Sequence, residues 1–240
     1  MNRLFTLFTL LFALASVDIY AHALWLETNP TGKLGQKQTV RIVYSEPGDK
    51  PEKVADWYSD VKSFELWLIS PDKQRTKLTT LAGDDAYTAE FTPAKEGIYT
   101  LLIGHSAKDL GGTTKYQFNA SALVTVGTSH TGNSPVVNSN ELTVFTDASK
   151  TYKANQPVNL SSLFKSKPAE KIQLTVYSPS GWSKQIHTNA EGVAEFTPLW
   201  PGRYLIEASK SEKETGEQGG KPYQSVWRCA TYAVNVANDK

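Results

Sequence analysis

Apolar and polar residues alternate over short runs along most of the chain. Val40-Arg41-Ile42-Val43-Tyr44, Phe64-Glu65-Leu66-Trp67-Leu68 and Ile172-Gln173-Leu174-Thr175-Val176 are representative. A period of two sends successive side chains to opposite faces, so each run predicts a half-buried β-strand. Ser70-Pro71-Asp72, Gly83-Asp84-Asp85 and Ser178-Pro179-Ser180-Gly181 separate the runs. These are turn residues, because Pro presets φ, Gly tolerates positive φ, and Asp and Ser bond their own backbone. No sustained helical period occurs; Pro51 to Asp60 reads as a short helix inside a loop.

The pattern then returns in a second copy. Ala89-Glu90-Phe91-Thr92-Pro93, followed by Gly97 and Tyr99, recurs as Ala194-Glu195-Phe196-Thr197-Pro198, followed by Gly202 and Tyr204, at an offset of 105. Leu66-Trp67-Leu68-Ile69-Ser70-Pro71 matches Leu174-Thr175-Val176-Tyr177-Ser178-Pro179 at 108. Leu24, Leu26 and Val40 match Leu142, Val144 and Val158 at 118, and Val124 and Val126 match Val234 and Val236 at 110. Blocks in one order with nearly constant offsets indicate duplication of a domain-sized unit of roughly 110 residues. The Gly/Ser/Thr/Asn-rich segment Gly127 to Asn140 reads as the connection.

The predicted fold is therefore all-β: two tandem Ig-like or prealbumin-like β-sandwich domains, each of about seven strands. Their expected bounds are 22–127 and 141–240, with a linker over 128–140. In the repeated Phe-Thr-Pro-…-Gly-x-Tyr block a strand ends at the proline and the glycine serves a tight turn. The tyrosine opens the next strand, where it can anchor a corner.

Residues 1–21 read as a signal peptide. Met1-Asn2-Arg3 is basic, Leu4 to Val17 is uncharged, and small residues offer cleavage after Ala15, Ala21 or Ala23. The apolar stretch is shorter than the roughly 20 residues of a membrane span. Cleavage after Ala21 is preferred, because it leaves a polar segment from Asp18 and starts the mature chain where the first strand begins. The expected destination is the periplasm or the exterior, with a mature chain that does not span the membrane. No cysteine near the junction suggests a lipid anchor.

Charge removes one class of partner. The chain carries 25 basic and 24 acidic residues, a net charge of +1, without the basic excess that nucleic acid requires. The one cysteine, Cys229, excludes an internal disulfide and lies in an alternating run, as a small buried hydrophobe would. No nucleophile elbow, zinc-protease motif or phosphate loop is present, so catalysis has little sequence support. Trp57, Trp182 and Trp200 fall in or near loops, where tryptophans either cap a core or stack on sugars.

The candidate chemistry lies at His22. Cleavage after Ala21 makes it the terminal residue, with a free amine that titrates at about 7.7–8.0 beside an imidazole at about 6.5. Amine and Nδ1 of one residue can chelate a metal, and a second imidazole completes a histidine brace. Such a nitrogen set suits Cu(II) or Ni(II). His105, at the end of a strand beginning at Tyr99, is the preferred second ligand; His130 lies in the linker and His187 in the second copy. The plainer alternative makes His22 an edge-strand histidine and His105 a surface one.

Ala21-His22-Ala23-Leu24-Trp25-Leu26-Glu27 resembles the opening of a bacterial family of exported proteins. Its members are described as a nickel-uptake substrate-specific region, or as the periplasmic component of cobalt/nickel transport. The resemblance implies a periplasmic accessory protein with a divalent transition metal (nickel, cobalt or copper) near His22; His22 and Trp25 are the positions that transfer. Transport would then require an inner-membrane transporter or another envelope protein as partner. The alternative function is a glycan- or protein-binding module of the cell envelope. An oxidative copper enzyme using the same brace ranks third.

Overall fold

The computed structural model describes residues 22–58 and 60–238; the predicted signal peptide lies outside them. The first copy contains β1 (Ala23–Thr28), β2 (Thr31–Gly32), β3 (Gln38–Ser45), β4 (Trp67–Ile69), β5 (Arg75–Lys77), β6 (Thr80–Ala82), β7 (Tyr87–Phe91), β8 (Gly97–Ser106) and β9 (Thr114–Val126). The second contains β10 (Leu142–Phe145), β11 (Tyr152–Lys153), β12 (Val158–Phe164), β13 (Lys167–Pro168), β14 (Gln173–Tyr177), β15 (Ser183–His187), β16 (Val193–Phe196), β17 (Gly202–Gln218) and β18 (Lys221–Ala237). The all-β sandwich class read from the alternation is what the chain forms. Among the described residues no helix is long and apolar enough to cross a membrane.

The duplication extends to strand pairing. β1–β3, β3–β7, β4–β5, β4–β8, β8–β9 and the parallel β2–β9 pair recur as β10–β12, β12–β16, β14–β15, β14–β17, β17–β18 and the parallel β11–β18 pair. Each copy thus packs one small sheet on one half of a larger sheet. The two larger halves are fused into a single ten-stranded sheet by parallel pairing of β9 with β18.

The register of that joint decides where the cores lie. Equivalent residues of the two strands, such as Val124 and Val234, are 110 apart, whereas the pairing aligns Thr114 with Ser225, 111 apart. A one-residue shift turns every equivalent side chain to the other face. Accordingly Phe118, Ala120, Val124 and Val126 join the first core, with Leu24, Leu26, Val40 and Ile42. Ala230, Tyr232, Val234 and Val236 join the second, with Leu142, Val144, Val158 and Leu160. The small sheets therefore cover opposite faces of the shared sheet.

A third contact ties the copies together. Ala23 and Trp25 point away from the first core and pack with Cys229, Leu205 and Trp227 of the β17–β18 ribbon. Glu27 accepts an ion pair from Arg203 of the second copy (3.0 Å) as well as from Arg41 (2.8 Å).

The repeated sequence blocks meet physically. Tyr99 Oη donates to Lys95 O (3.1 Å) and accepts from Lys95 N (3.0 Å). Tyr204 Oη does the same with Trp200, donating to O (3.0 Å) and accepting from N (3.1 Å). Both tyrosines lock the turn before their strand, as the repeated motif suggested. Tyr204→Phe removes both bonds and should cost about 1–1.5 kcal/mol. Thermal unfolding measures it, and an unchanged midpoint would mean that water replaces the phenol without loss.

Two local expectations need correction. The strand expected from Phe64 starts at Trp67, because Phe64 closes a 3-10 turn over Val61–Ser63 and packs its ring on Tyr87 at 5.2 Å. The short helix expected between 51 and 60 is a single 3-10 turn, Val54–Asp56. Trp57, next to it, is 2% exposed and belongs to the first core, so it is a core cap and not a sugar platform. Trp182 and Trp200 sit 6.2 Å apart in the second copy, Trp200 being 43% exposed.

Candidate functional site

His22 immediately precedes β1. The antiparallel register that pairs Ala23 with Ser45 sets it opposite Glu46, and its Nδ1 lies 3.8 Å from Glu46 Oε1. On the other side of the ring, Nε2 donates to Glu52 Oε1 at 2.5 Å. The loop carrying Glu52 is held by Trp57, whose indole N–H donates to Glu52 O (3.2 Å). The His22 ring lies against Tyr44, with centroids 5.1 Å apart. Burial, with the charge of Glu52 and then Tyr58 added, pushes the Tyr44 phenol up to about 12. Tyr44 is thus a neutral wall at physiological pH and no phenolate ligand.

Glu46 connects this corner to the second copy. Burial is the main reason that the carboxyl of Glu207 on β17 is raised to about 7, and the charge of Glu46 adds to it. Glu207 in turn reinforces the effect of burial on Cys229, holding that thiol well above its ordinary value. Cys229 is buried and protonated, consistent with the packing role expected of it.

His105 has a separate environment. It lies at the end of β8, as expected, and Nε2 meets Asp60 Oδ2 at 3.3 Å, with Asp60 buried and His105 nearly so. Asp60 also accepts from Lys108 N (2.5 Å). The path between the two histidines is aromatic: His22 touches Tyr44, Tyr44 touches Phe118 (6.0 Å), and Phe118 is the cross-strand neighbour of His105. Each histidine thus sits at the same end of the first sandwich with its own carboxylate. His130 lines a cavity of about 460 Å³ between the copies, and His187 is exposed on β15. Among the described residues no group of three or more His, Cys, Asp or Glu side chains is arranged to hold a metal ion.

Glu46, Glu52 and Glu207 did not figure in the sequence reading. Glu46 could have been reached by extending the β1–β3 register by one residue. Glu52 and Glu207 depend on a loop path and on the fused sheet, neither of which has a local signal.

The model of the domain of unknown function DUF4198 matches residues 19–212. The chain belongs to the DUF4198 family. No curated protein matches this DUF4198 chain in sequence. In structure it is similar to Salmonella alpha-2-macroglobulin reacted with methylamine, at 12% identity and a TM-score of 0.31, over 91% of this chain and 15% of that one. It is also similar to a Ca²⁺-stabilized adhesin with which an Antarctic bacterium binds ice, at 12% identity and 0.27, over 91% of this chain and 50% of that one. A segment of two fibronectin type-III domains from chicken tenascin aligns at 12% identity and 0.24, over 88% of this chain and 97% of the segment.

Proposed function

We propose that this DUF4198 chain is a periplasmic metal-binding accessory protein that carries nickel, cobalt or copper at a mature N-terminal His22. The observation that carries the reading is the placement of one carboxylate on each ring nitrogen, Glu46 at Nδ1 (3.8 Å) and Glu52 at Nε2 (2.5 Å). Cleavage after Ala21 would free an amine beside Nδ1, and amine and Nδ1 of one residue form a chelate. Two donors held at about 2.0–2.2 Å from one ion stand up to about 4 Å apart, a span that admits Glu46 as third donor. Glu52, accepting Nε2–H, would set the tautomer that leaves Nδ1 free, as outer carboxylates do for ligating histidines.

This donor set needs the terminal amine, because among the described residues no group of three His, Cys, Asp or Glu side chains is arranged to hold a metal ion. It replaces His105, which is engaged with Asp60, by Glu46. The metal is cargo in this reading, and its movement across a membrane would fall to an inner-membrane or envelope partner.

Intact mass of the exported protein should place His22 first. Calorimetric titration with Ni(II), Co(II) and Cu(II) should then show binding that His22→Ala abolishes, that Glu52→Gln weakens by roughly 10–100-fold, and that His105→Ala leaves unchanged. Another terminus, or full affinity in His22→Ala, would overturn the reading.

A further inference from the structure

The connection between the copies roofs a cavity. Thr131 O accepts from Ile98 N (2.8 Å) and Asn140 Nδ2 donates to Ile103 O (2.9 Å), so the segment between them is pinned to β8 at both ends. Asn133 Nδ2 ties it to Asp147 of the second copy (3.0 Å). Beneath this arch lies a space of about 250 Å³. An apolar cavity of about 150 Å³ holds benzene, so this one takes a single ring with its substituents.

The walls are largely apolar. Pro135 and Val137 border the space from the arch, Leu123 from β9, and Phe145 and Tyr232 from the second copy. Tyr232 Oη is paired with Thr146 Oγ1 (3.2 Å). The charged lining residue is Asp147, and none is cationic. Hydrogen bonds from Ser149, then from Asn133, hold the Asp147 carboxyl below the ordinary carboxylate range, so it is an anion at neutral pH.

The floor differs from the walls. Thr100 on β8 and Ser121 on β9 are 2% and 5% exposed. The register pairs Thr100 with Leu123 and Leu102 with Ser121, which makes Thr100 and Ser121 diagonal neighbours on one face of the sheet. Among the described residues neither hydroxyl has a hydrogen-bond partner. The unpartnered Thr143 Oγ1 and Gln117 Oε1 are sealed within the fold, whereas Thr100 and Ser121 border the cavity. Buried polar groups left in this way call for a partner.

From these features we propose that the cavity binds a small uncharged phenol, with its ring among Leu123, Val137 and Phe145 and its hydroxyl between Thr100 and Ser121. A phenolic hydroxyl both donates and accepts, so it can pair with both side chains at once. Water would satisfy the two hydroxyls but would wet the apolar walls. A plain hydrocarbon would cover the walls and leave the hydroxyls unpaired. A sugar would set its own hydroxyls against Leu123, Val137 and Phe145. An acid would meet Asp147 with no cation to offset it. A cation would gain only Asp147, which already accepts from Ser149 and Asn133.

Titration calorimetry with phenol, toluene and benzoate tests the site. Phenol should bind, toluene at least about tenfold more weakly, and benzoate not detectably. Thr100→Val keeps the shape and removes the oxygen; it should bring phenol down toward toluene and leave toluene no weaker, and Ser121→Ala should act in the same direction. Without ligand, the thermal midpoint of Thr100→Val should not fall, because no hydrogen bond is lost; a lower midpoint would mean that the hydroxyl is paired within the chain and would overturn the proposal. His22→Ala should leave phenol binding unchanged, which separates this site from the metal reading. Phenol binding no tighter than toluene, or full phenol affinity in the Thr100→Val/Ser121→Ala double variant, also overturns it.

Discussion

Replacing Glu207 by Gln should raise stability above pH 7 by roughly 2–3 kcal/mol and change it little near pH 4. Glu207 faces the β1 side of the shared sheet, opposite Thr231 and beside Cys229. Burial, then Glu46, lifts its carboxyl from 4.5 to about 7. Between those values the native chain keeps a proton that the unfolded chain has released. The native state binds more protons there, so stability falls as pH rises from about 4.5 to about 7 and levels off above. Gln cannot ionise and escapes that loss. Urea unfolding of the metal-free protein between pH 4 and pH 8 measures the difference. Parallel curves for the two proteins would show that Glu207 ionises freely in the fold.

Gly97→Ala should cost about 3 kcal/mol or more, and Gly202→Ala somewhat less. Both glycines have positive φ, 132° and 133°, where an L side chain is strained. A Cβ at Gly97 would stand 2.7 Å from Pro71 Cβ and also 2.7 Å from Thr131 O. At Gly202 it would meet the ring of Pro179 at 2.9 Å, with no backbone atom near it. The extra cost at Gly97 comes from Thr131, which lies in the connection between the copies and accepts from Ile98 N at 2.8 Å. Denaturant unfolding of both variants gives the comparison. Equal costs would assign the penalty to φ and the proline alone.

These glycines also explain why the repeat was visible. The Ser-Pro and Gly-x-Tyr blocks recur because Pro71 packs on Gly97 as Pro179 packs on Gly202, and because each tyrosine closes a five-residue turn. Contacts of this kind tolerate few residue types and leave a mark at a constant spacing. The candidate site left less. His22 was legible from its place after a cleavage motif, but its neighbours were not. Glu46 reaches it through strand register and Glu52 through a loop 30 residues away. His105 was legible as a strand histidine, while its pairing with Asp60, 45 residues away, was not.

By itself the sequence determined the class of the fold, its duplication and the corner chemistry of each copy. Period-two alternation and turn residues act locally, so the chain displays them residue by residue. The tertiary structure alone decided that the last strands of the two copies pair in parallel, at 111 residues rather than the 110 of the repeat. That parity sends the two cores to opposite faces. It also carries Glu207 and Cys229 against the first strand. Strand pairing is made by backbone groups that every residue shares, so a shift of one residue leaves no trace in composition or pattern.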